Sequence, residues 1–246
     1  MKKSAFAFPA HEVQELIVGR DVMPVPDTPP YVRGVINLRG RVFPVVDLRK
    51  RLGIDSLAEE NAAFCALMEQ RRQDHVNWVS ELEASVRESR RFSLATDPHR
   101  CAFGLWYDHY KPENVWIANL LHRFVEPHLK IHQTAGRASA LQAQGDWEGA
   151  LSLIEQTRKG VLRKMIELFS ELAQLIVDST QEVVVLLQTQ HKTLAVSVDE
   201  AVAIEKFAAQ KMGDLPHTVG GGLATQFGIR DGSGSLVLML ATERIG

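Results

Sequence analysis

Four side chains able to bind a metal lie within one strongly helical stretch of this sequence. They are His75, Cys101, His128 and His132. The stretch interrupts a chain that otherwise has the pattern of short β-strands. Imidazole nitrogens and a cysteine thiolate are the ligands that borderline and soft divalent cations prefer. The sequence therefore indicates a soft-metal site in a helical segment inserted into a β scaffold.

The helical pattern directs these side chains inward. A single histidine on an apolar helix face is usually a hydrogen-bonded core residue, but here three histidines and a cysteine occur together. Each buried polar group left without a partner would cost about 1–3 kcal/mol, and one shared cation would remove that cost. His75 lies on one apolar stripe, and His128 and His132 lie one helical turn apart on another. The two stripes comprise Phe64, Leu67, Met68, Trp78, Val79, Leu82 and Val86, and then Ile117, Leu121, Phe124, Val125, Ile131 and Ala135.

The ligand types indicate which metal and which chemistry to expect. Three imidazoles and a thiolate suit tetrahedral Zn²⁺, whereas Mg²⁺ or Ca²⁺ would require oxygen ligands. His128 and His132 have the spacing of a metalloprotease helix, but Leu129 stands where that chemistry needs a glutamate. Another zinc hydrolase, with a metal-bound water and Cys101 outside the ligand set, is the enzymatic alternative. The ligand helices carry no acidic residue at a spacing suited to a general base, so the sequence favours a protein that is not an enzyme.

Composition and charge exclude several classes of protein. The 246 residues are 45% hydrophobic and 24% charged, which suits one large or two modest globular domains. The 28 basic and 30 acidic residues give a net charge of −2 without a basic, aromatic-containing stripe, so nucleic acid is not an expected partner. Membrane insertion and a signal peptide are not expected, because the apolar runs are too short. Two cysteines, Cys65 and Cys101, give no disulfide framework, which favours the cytoplasm.

The order of patterns predicts an α+β protein with a divided β domain. Short β-like runs separated by prolines and Gly40 occupy residues 1–56, helical periodicity occupies 57–180, and β patterns return in 181–246. A helical unit with neighbouring ends can be inserted into a loop at small entropic cost, so the two β segments are expected to share one fold. The predicted strands are Phe6–Phe8, Val13–Val18, Tyr31–Leu38, Arg41–Leu48, Glu182–Gln188, Thr193–Val198 and Ser235–Ala241.

Three long segments make up the predicted helical part, which we interpret as an antiparallel, four-helix-type bundle. They end near Arg91, near Gly145 and near Ser179. The last segment carries an unusually broad apolar stripe between Leu151 and Ile176. So broad a stripe requires either two neighbouring helices or a second copy of the chain. A homodimer through the bundle is therefore an open alternative.

The segment 26–53 resembles a known family. It reads PDTPPYVRGVINLRGRVFPVVDLRKRLG, and VQEL precedes it at 13–16. These residues resemble the signature of the CheW-like chemotaxis coupling domain, and residues 182–202 resemble the second half of that domain. The resemblance implies a pair of small five-stranded β-barrels, binding to the histidine kinase CheA, and binding to the cytoplasmic signalling tip of chemoreceptors. It also implies an ion pair between Glu15 and Arg39 near the receptor-binding surface; the alternative is an ordinary surface pair of at most ~1 kcal/mol.

The middle of the chain resembles the chemoreceptor zinc-binding (CZB) domain. The matching residues are His75 followed by Trp78, then CAFGLWY at 101–107, then HLKIH at 128–132. In that family three histidines and one cysteine bind zinc, so the resemblance implies the same role for the four residues named above. Two departures occur. The coupling family begins with a strand before the one predicted at Phe6–Phe8, and Leu105 replaces a lysine that is not a ligand.

The two resemblances together imply an adaptor whose helical module responds to a stimulus. Zinc would keep Cys101 deprotonated and nucleophilic, so hypochlorous acid or peroxide could oxidise it and weaken the site. Alternatively, the site could report free zinc by filling and emptying. A third interpretation is that the zinc is structural. It would then only stabilise the bundle, and the adaptor would act constitutively. Asp97 is expected to cap the helix at Cys101, with a contact to a ligand as the alternative.

Overall fold

The computed structural model describes residues 5–18, 22–189, 192–216 and 222–246. The chain forms two compact units. One combines Met1–Glu60 with Thr180–Gly246, and the other is Asn61–Ser179. The first unit contains the strands and the second is helical. The chain is therefore an α+β protein with a long helical region.

Nine strands occur within the described residues. They are β1 (Ala5–Ala7), β2 (Val13–Val18), β3 (Val32–Leu38), β4 (Arg41–Asp47), β5 (Val183–Gln188), β6 (Thr193–Val198), β7 (Met212–Asp214), β8 (Ala224–Ile229) and β9 (Leu236–Leu240). Each predicted strand matches an observed one to within one residue at either end. The sequence interpretation missed β7 and β8. The first has only three residues, and the second is interrupted by polar residues and Gly228, so neither has a clear alternating apolar pattern.

One sheet combines strands from both sides of the helical insertion. In the described part of the chain it has five strands in the order β2-β5-β6-β4-β3. Antiparallel β2 and β5 pair, and β4 pairs in parallel with β6, with Val45 beside Ala195. Val45 and Ala195 are fully buried in this sheet. The two β segments of the sequence therefore fold as one unit.

The second sheet has the order β1-β9-β8-β7, which gives four strands among the residues described. Its residues contribute to a core with the other sheet, in which Leu187, Leu240 and the C-terminal Ile245 are buried. The strand count differs from the two five-stranded barrels that the resemblance implies. Closure of either sheet into a barrel remains a prediction.

A short helix links the first β segment to the helical unit. Helix α1 (Leu48–Arg51) follows β4 directly, and Asp47 caps it by accepting a hydrogen bond from the backbone of Lys50. Helix α2 (Leu57–Arg87) then begins at a capping box, in which the Ser56 hydroxyl and the Glu59 carboxylate each accept a hydrogen bond from the other's backbone N–H. Arg49 pairs with Glu60, which attaches the first turn of α2 to α1.

The remaining helices form the helical unit with α2. They are α3 (Ala102–His109), α4 (Val115–His122), α5 (Val125–Ala143), α6 (Trp147–Thr157) and α7 (Arg163–Ser179). The helical segment predicted to end near Gly145 does end there, at Ala143, but it is divided into α3, α4 and α5. Pro112 lies in the break between α3 and α4, and the Asn114 side chain caps α4. Residues 123 and 124 separate α4 from α5, so no regular helix runs through both.

The last two helices are joined by a π-helical turn at Arg158–Leu162. Their apolar stripe is covered within the unit, since Ile154, Met165, Leu168 and Leu172 are buried in its core. These residues therefore need no second chain to cover them. Val125, which the sequence pattern placed on an inward stripe, is instead 46% exposed at the start of α5. No helix among the described residues is both long and apolar enough to cross a membrane.

Candidate metal centre

The helical unit brings His75, Cys101, His128 and His132 together. One donor atom from each residue lies within 4.8 Å of the others. His75 comes from α2, Cys101 directly precedes α3, and the other two histidines lie one turn apart on α5. The three histidines are buried and Cys101 is partly buried. Their proximity supports the prediction that these four residues bind a metal, and this role stays a prediction.

Cys101 is positioned by the start of α3. Its Sγ accepts a hydrogen bond from the backbone N–H of Gly104 at 3.2 Å, so the cysteine caps this helix. Its Sγ also lies 3.3 Å from the carbonyl oxygen of Pro98 and 3.1 Å from Nε2 of His128. Asp97 caps the preceding 3₁₀ turn, where its side chain accepts from the N–H of His99. The expectation that Asp97 caps the helix at Cys101 is therefore wrong, because Cys101 itself holds that position and Asp97 caps the turn before it.

Two histidines are oriented by backbone carbonyl groups. Nδ1 of His75 lies 2.7 Å from the carbonyl oxygen of Arg71, and Nδ1 of His132 lies 3.1 Å from that of Ala95. A carbonyl oxygen only accepts, so in each neutral ring Nδ1 carries the proton and Nε2 carries the lone pair. Both Nε2 atoms are buried and have no hydrogen-bond partner among the described residues. This is the arrangement that histidine metal ligands need, with the second nitrogen held by a carbonyl group.

Burial keeps the imidazoles neutral. It lowers the pKa of His75, and together with the charges of neighbouring histidines it lowers the pKa of His128 to about 2 and that of His132 to about 4. Burial also raises the pKa of the Cys101 thiol, although backbone N–H groups of Gly104 and Phe103 oppose this rise. The site is thus a set of neutral nitrogen donors beside a thiol that the protein alone leaves protonated. A bound divalent cation would favour the thiolate.

Aromatic side chains surround the donor atoms. The Phe103 ring packs edge-on against those of His75 and His128, at centroid distances of 5.8 and 5.0 Å. The Trp78 ring lies 4.9 Å from that of His132, and its Nε1 donates to the carbonyl of Ala95 at 2.8 Å. The same carbonyl is the one that orients His132. Because Trp78 and His132 share this acceptor, Trp78 fixes the loop that positions a predicted ligand, a role that sequence spacing alone did not reveal.

Other candidate residues lie outside this cluster. Cys65 is partly buried on α2, where its thiol lies 3.8 Å from the carbonyl of Ala173. Leu105, the departure from the zinc-binding family, is 54% exposed. In the β unit, Arg39 donates to Glu15 at 3.2 Å, so the predicted ion pair forms, on an exposed surface. The role of this pair in receptor binding stays a prediction.

The two resemblances agree with family models. The model for the CheW-like domain matches residues 1–89, and the model for the chemoreceptor zinc-binding domain matches residues 75–139. These matches find both a CheW-like domain and a chemoreceptor zinc-binding domain, each over less than half of the chain. The two matches overlap along α2 and leave the border between the domains open, so the predicted boundaries of 1–56, 57–180 and 181–246 stay predictions.

Curated relatives of this chain include chemotaxis proteins named CheW. The chain is 48% identical over 52 residues to the chemotaxis protein CheW of Thermotoga maritima, and 43% identical over 49 residues to that of Helicobacter pylori. These matches cover 21% and 20% of this chain, and the chain spans about a third of each relative, 34% and 30% respectively. The names of both relatives describe chemotaxis proteins.

One solved structure with a related name is also similar. It is the scaffolding protein TtCheW from Thermoanaerobacter tengcongensis, with a TM-score of 0.43 and 10% identity. The similarity covers 98% of this chain and 83% of that one. At this level it adds nothing to the strand order and pairing described above.

Proposed function

We propose that the helical unit binds one Zn²⁺ through His75, Cys101, His128 and His132. The observation that supports this most directly is the pair of buried, unpartnered Nε2 atoms on His75 and His132, beside a third imidazole and a thiol. Leaving both nitrogens empty would cost about 1–3 kcal/mol for each one. Nitrogen and sulfur donors with no carboxylate in the cluster favour Zn²⁺ over Mg²⁺ or Ca²⁺.

The proposal includes an adaptor role in chemotaxis. The CheW-like unit would couple the cytoplasmic signalling tip of chemoreceptors to the histidine kinase CheA, with the exposed Glu15–Arg39 pair near the receptor-binding surface. The match to the CheW-like family model and the relatives named CheW support this role. The protein would act in the cytoplasm. A homodimer through the helical unit is part of the proposal, and exposed apolar side chains such as Trp116 are consistent with it.

We further propose that the helical unit is a sensor of zinc or of oxidants. When bound, Zn²⁺ would hold Cys101 as a thiolate, the form that hypochlorous acid or peroxide attacks. Oxidation of Cys101 would remove a ligand that joins the start of α3 to α2 and α5. His75 lies on α2, whose first turn belongs to the β unit. A change in metal binding at His75 would therefore affect a helix that also reaches the β unit.

The two alternatives make different predictions. A zinc hydrolase needs an open coordination position, whereas four convergent donors that include the Cys101 thiol favour a closed site. A purely structural zinc predicts that the helical unit unfolds when the metal is removed. A sensor instead keeps most of its helical circular dichroism when the metal is removed, and its effect on kinase activity changes.

Metal analysis of purified protein tests the site. We expect one zinc per chain in the natural sequence and at least about a hundredfold weaker binding in Cys101→Ala and His132→Ala, since loss of even an outer contact costs roughly 10–100-fold. Cys65→Ala is the matched control, because it removes the other thiol of the helical unit and should bind zinc normally. Full zinc occupancy in both ligand variants would refute the site.

Zinc release during titration with hypochlorous acid tests oxidant sensing. Release should follow formation of sulfenic acid on Cys101, and a Cys101→Ser variant that still holds zinc should release none. Equal release from both proteins would exclude the thiol switch.

Co-sedimentation with receptor signalling tips and CheA tests the adaptor role. We expect retention at micromolar concentrations with and without Zn²⁺, and a change in kinase activity when zinc is released. Absence of any retention would refute the coupling role while leaving the metal site intact.

A further inference from the structure

Residues 199–208, which follow β6, form an extended and largely exposed segment of the β unit. No turn or bend interrupts this segment from Glu200 to Ala208. Within the part of the chain that the structure describes, no backbone hydrogen bond involves residues 201–207. A row of unpaired N–H and C=O groups is a template for pairing with another strand. We refer to residues 199–208 as the extended segment.

Ion pairs hold the extended segment on the β unit near both of its ends. Arg49 donates to Asp199 at 2.8 Å. Arg230 donates to Glu205, with its Nε 2.9 Å from each carboxylate oxygen. Because these contacts already fix the course of the chain, a partner strand would not have to supply the full entropic cost of ordering it.

The side chains of the extended segment alternate between two sides. The ring of Phe207 packs over Gly228 so closely that a Cβ on the glycine would lie 2.6 Å from the ring. Gly228 belongs to β8, which lies between β7 and β9, so the ring covers a face of that sheet. The odd-numbered residues therefore face the β unit, and Val202, Ile204 and Lys206 project away from it. Val202 is 73% exposed and Ile204 is 88% exposed.

We propose that the extended segment pairs antiparallel with the same segment of a second copy of this chain, about a two-fold axis at Ala203. In this register Val202 of one copy lies opposite Ile204 of the other, and Glu200 lies opposite Lys206. Opposed residues share a face of the ribbon, and pairs of β-branched residues and of opposite charges favour pairing. The two-fold axis makes each favourable contact occur twice.

Charge selects this register over its neighbours. An axis between Val202 and Ala203 would place Glu200 opposite Glu205, and an axis at Val202 would place Asp199 opposite Glu205. Like charges directly opposite each other destabilise a strand pair. An axis moved in the other direction leaves Glu200 opposite an uncharged residue. The register centred on Ala203 is therefore the one in which the segment is complementary to itself.

This interface is separate from the homodimer proposed through the helical unit, because all of its residues belong to the β unit. A chain that used both interfaces would form assemblies larger than dimers. An isolated two-stranded ribbon is only marginally stable in water, so we expect weak association, with a dissociation constant on the order of 100 µM.

Sedimentation equilibrium of the full chain over a concentration series tests the pairing. Lys206→Glu places like charges opposite each other at both ends of the ribbon, so it should weaken association at least about tenfold. Glu200→Lys should have the same effect. The double variant Glu200→Lys, Lys206→Glu recreates both ion pairs, so its dissociation constant should be within about twofold of that of the natural sequence. Lys211→Glu is the matched control, because Lys211 pairs with Asp231 of its own chain and should not affect association.

Cysteine cross-linking tests the position of the axis. In protein with Cys65→Ala, the substitution Ala203→Cys places two thiols opposite each other, where the Cβ atoms of opposed residues lie about 4.5–5.5 Å apart. Ala201→Cys is the matched control, since its two copies are four positions apart along the ribbon, or about 13 Å. We expect mild oxidation to link Ala203→Cys at least about tenfold faster than Ala201→Cys. Cys101 is present in both variants and therefore cancels in the comparison.

Several outcomes would overturn the inference. One is an apparent mass that is the same for the natural sequence and Lys206→Glu at every concentration. Another is a double charge variant that associates no better than Lys206→Glu, and a third is equal cross-linking at positions 201 and 203. If the charge variants instead lower retention by CheA or receptor tips while the chain does not self-associate, the self-pairing is wrong and the segment binds a strand of that partner. Circular dichroism verifies that each variant is folded.

Discussion

The Sγ atom of Cys101 lies 3.1 Å from Nε2 of His128, although the two residues are 27 positions apart and belong to different elements. Their contact depends on how α3 begins. The helix starts immediately after Cys101 because the thiol accepts the N–H of Gly104, and the preceding turn passes close over the same glycine. The geometry of the centre is thus determined by a short backbone segment as much as by its four donors.

Substitution of Gly104 should disrupt this segment. A Cβ at this position would lie 1.8 Å from the carbonyl oxygen of Pro98, so the backbone of residues 98–101 must move. We expect Gly104→Ala to weaken zinc binding at least about tenfold and to destabilise the protein by roughly 1–3 kcal/mol. Chelator competition and denaturant unfolding measure the two effects.

Gly136→Ala is the control for this substitution. Gly136 lies on α5 with nothing within 4 Å of its added Cβ, so alanine should be neutral or stabilise by up to about 1 kcal/mol. Loss of zinc affinity of similar size in both variants would show that the close approach at Gly104 is irrelevant.

Trp78→Phe tests whether the Ala95 carbonyl must be held in place. The change removes the 2.8 Å hydrogen bond from Nε1 and keeps most of the buried ring. We expect zinc affinity to fall about tenfold, as for loss of an outer contact to a ligand, while the helical circular dichroism is retained. Trp147→Phe, at a 41% exposed position on α6, should leave affinity unchanged. The idea fails if Trp78→Phe binds zinc as tightly as the parent.

The capping box at the start of α2 should make stability depend on acid pH. Lys50 and the Ser56 backbone and hydroxyl lower the pKa of Glu59 to about 2, from an ordinary value of 4.5. A carboxyl whose pKa is lower in the folded state stabilises the fold above pH 4.5, and this contribution is lost as the pH falls toward 2. Glu59→Gln should therefore reduce the slope of unfolding free energy against pH in that window.

Two serines, one at the start of α2 and one in its interior, provide a second test. Ser56→Ala should destabilise the protein by about 1 kcal/mol, since it removes the N-cap hydroxyl. Ser80→Ala lies in the middle of α2, where the hydroxyl only bonds the Val76 carbonyl, and it should be neutral or slightly stabilising. Urea unfolding distinguishes the two, and equal effects would contradict the cap.

The Glu15–Arg39 pair should matter for binding more than for stability. It is exposed, and Arg39 adopts a φ of 54° beside Gly40 in the turn between β3 and β4. We expect Arg39→Ala to change unfolding free energy by less than about 1 kcal/mol but to weaken co-sedimentation with receptor tips several-fold. The double variant Glu15→Arg, Arg39→Glu should restore the ion pair. It should not restore binding if the partner recognises each charge at its own position. Unaltered binding in Arg39→Ala would remove this residue from the interface.

Most strands of the β unit could be predicted from the local sequence. The sequence predicts the strands Val13–Val18 and Thr193–Val198 with their observed limits, because runs rich in valine end at a glycine or at charged residues. The pairing of β4 with β6 could not be predicted from the local sequence, since it joins segments separated by the whole helical insertion. The breaks that separate α3, α4 and α5 were also missed, because apolar spacing continues across Pro112 and through the two-residue link at 123–124.

The sequence by itself determined which side chains are available at the centre and that the histidines face inward, because residue type and helical spacing are local properties. Only the tertiary structure decided that four donors from three elements come within 4.8 Å of one another. It also decided that the Arg71 and Ala95 carbonyls select the free nitrogens of His75 and His132. The physical reason is that hydrogen-bond direction and the approach of separate helices depend on packing across the unit, which no local pattern contains.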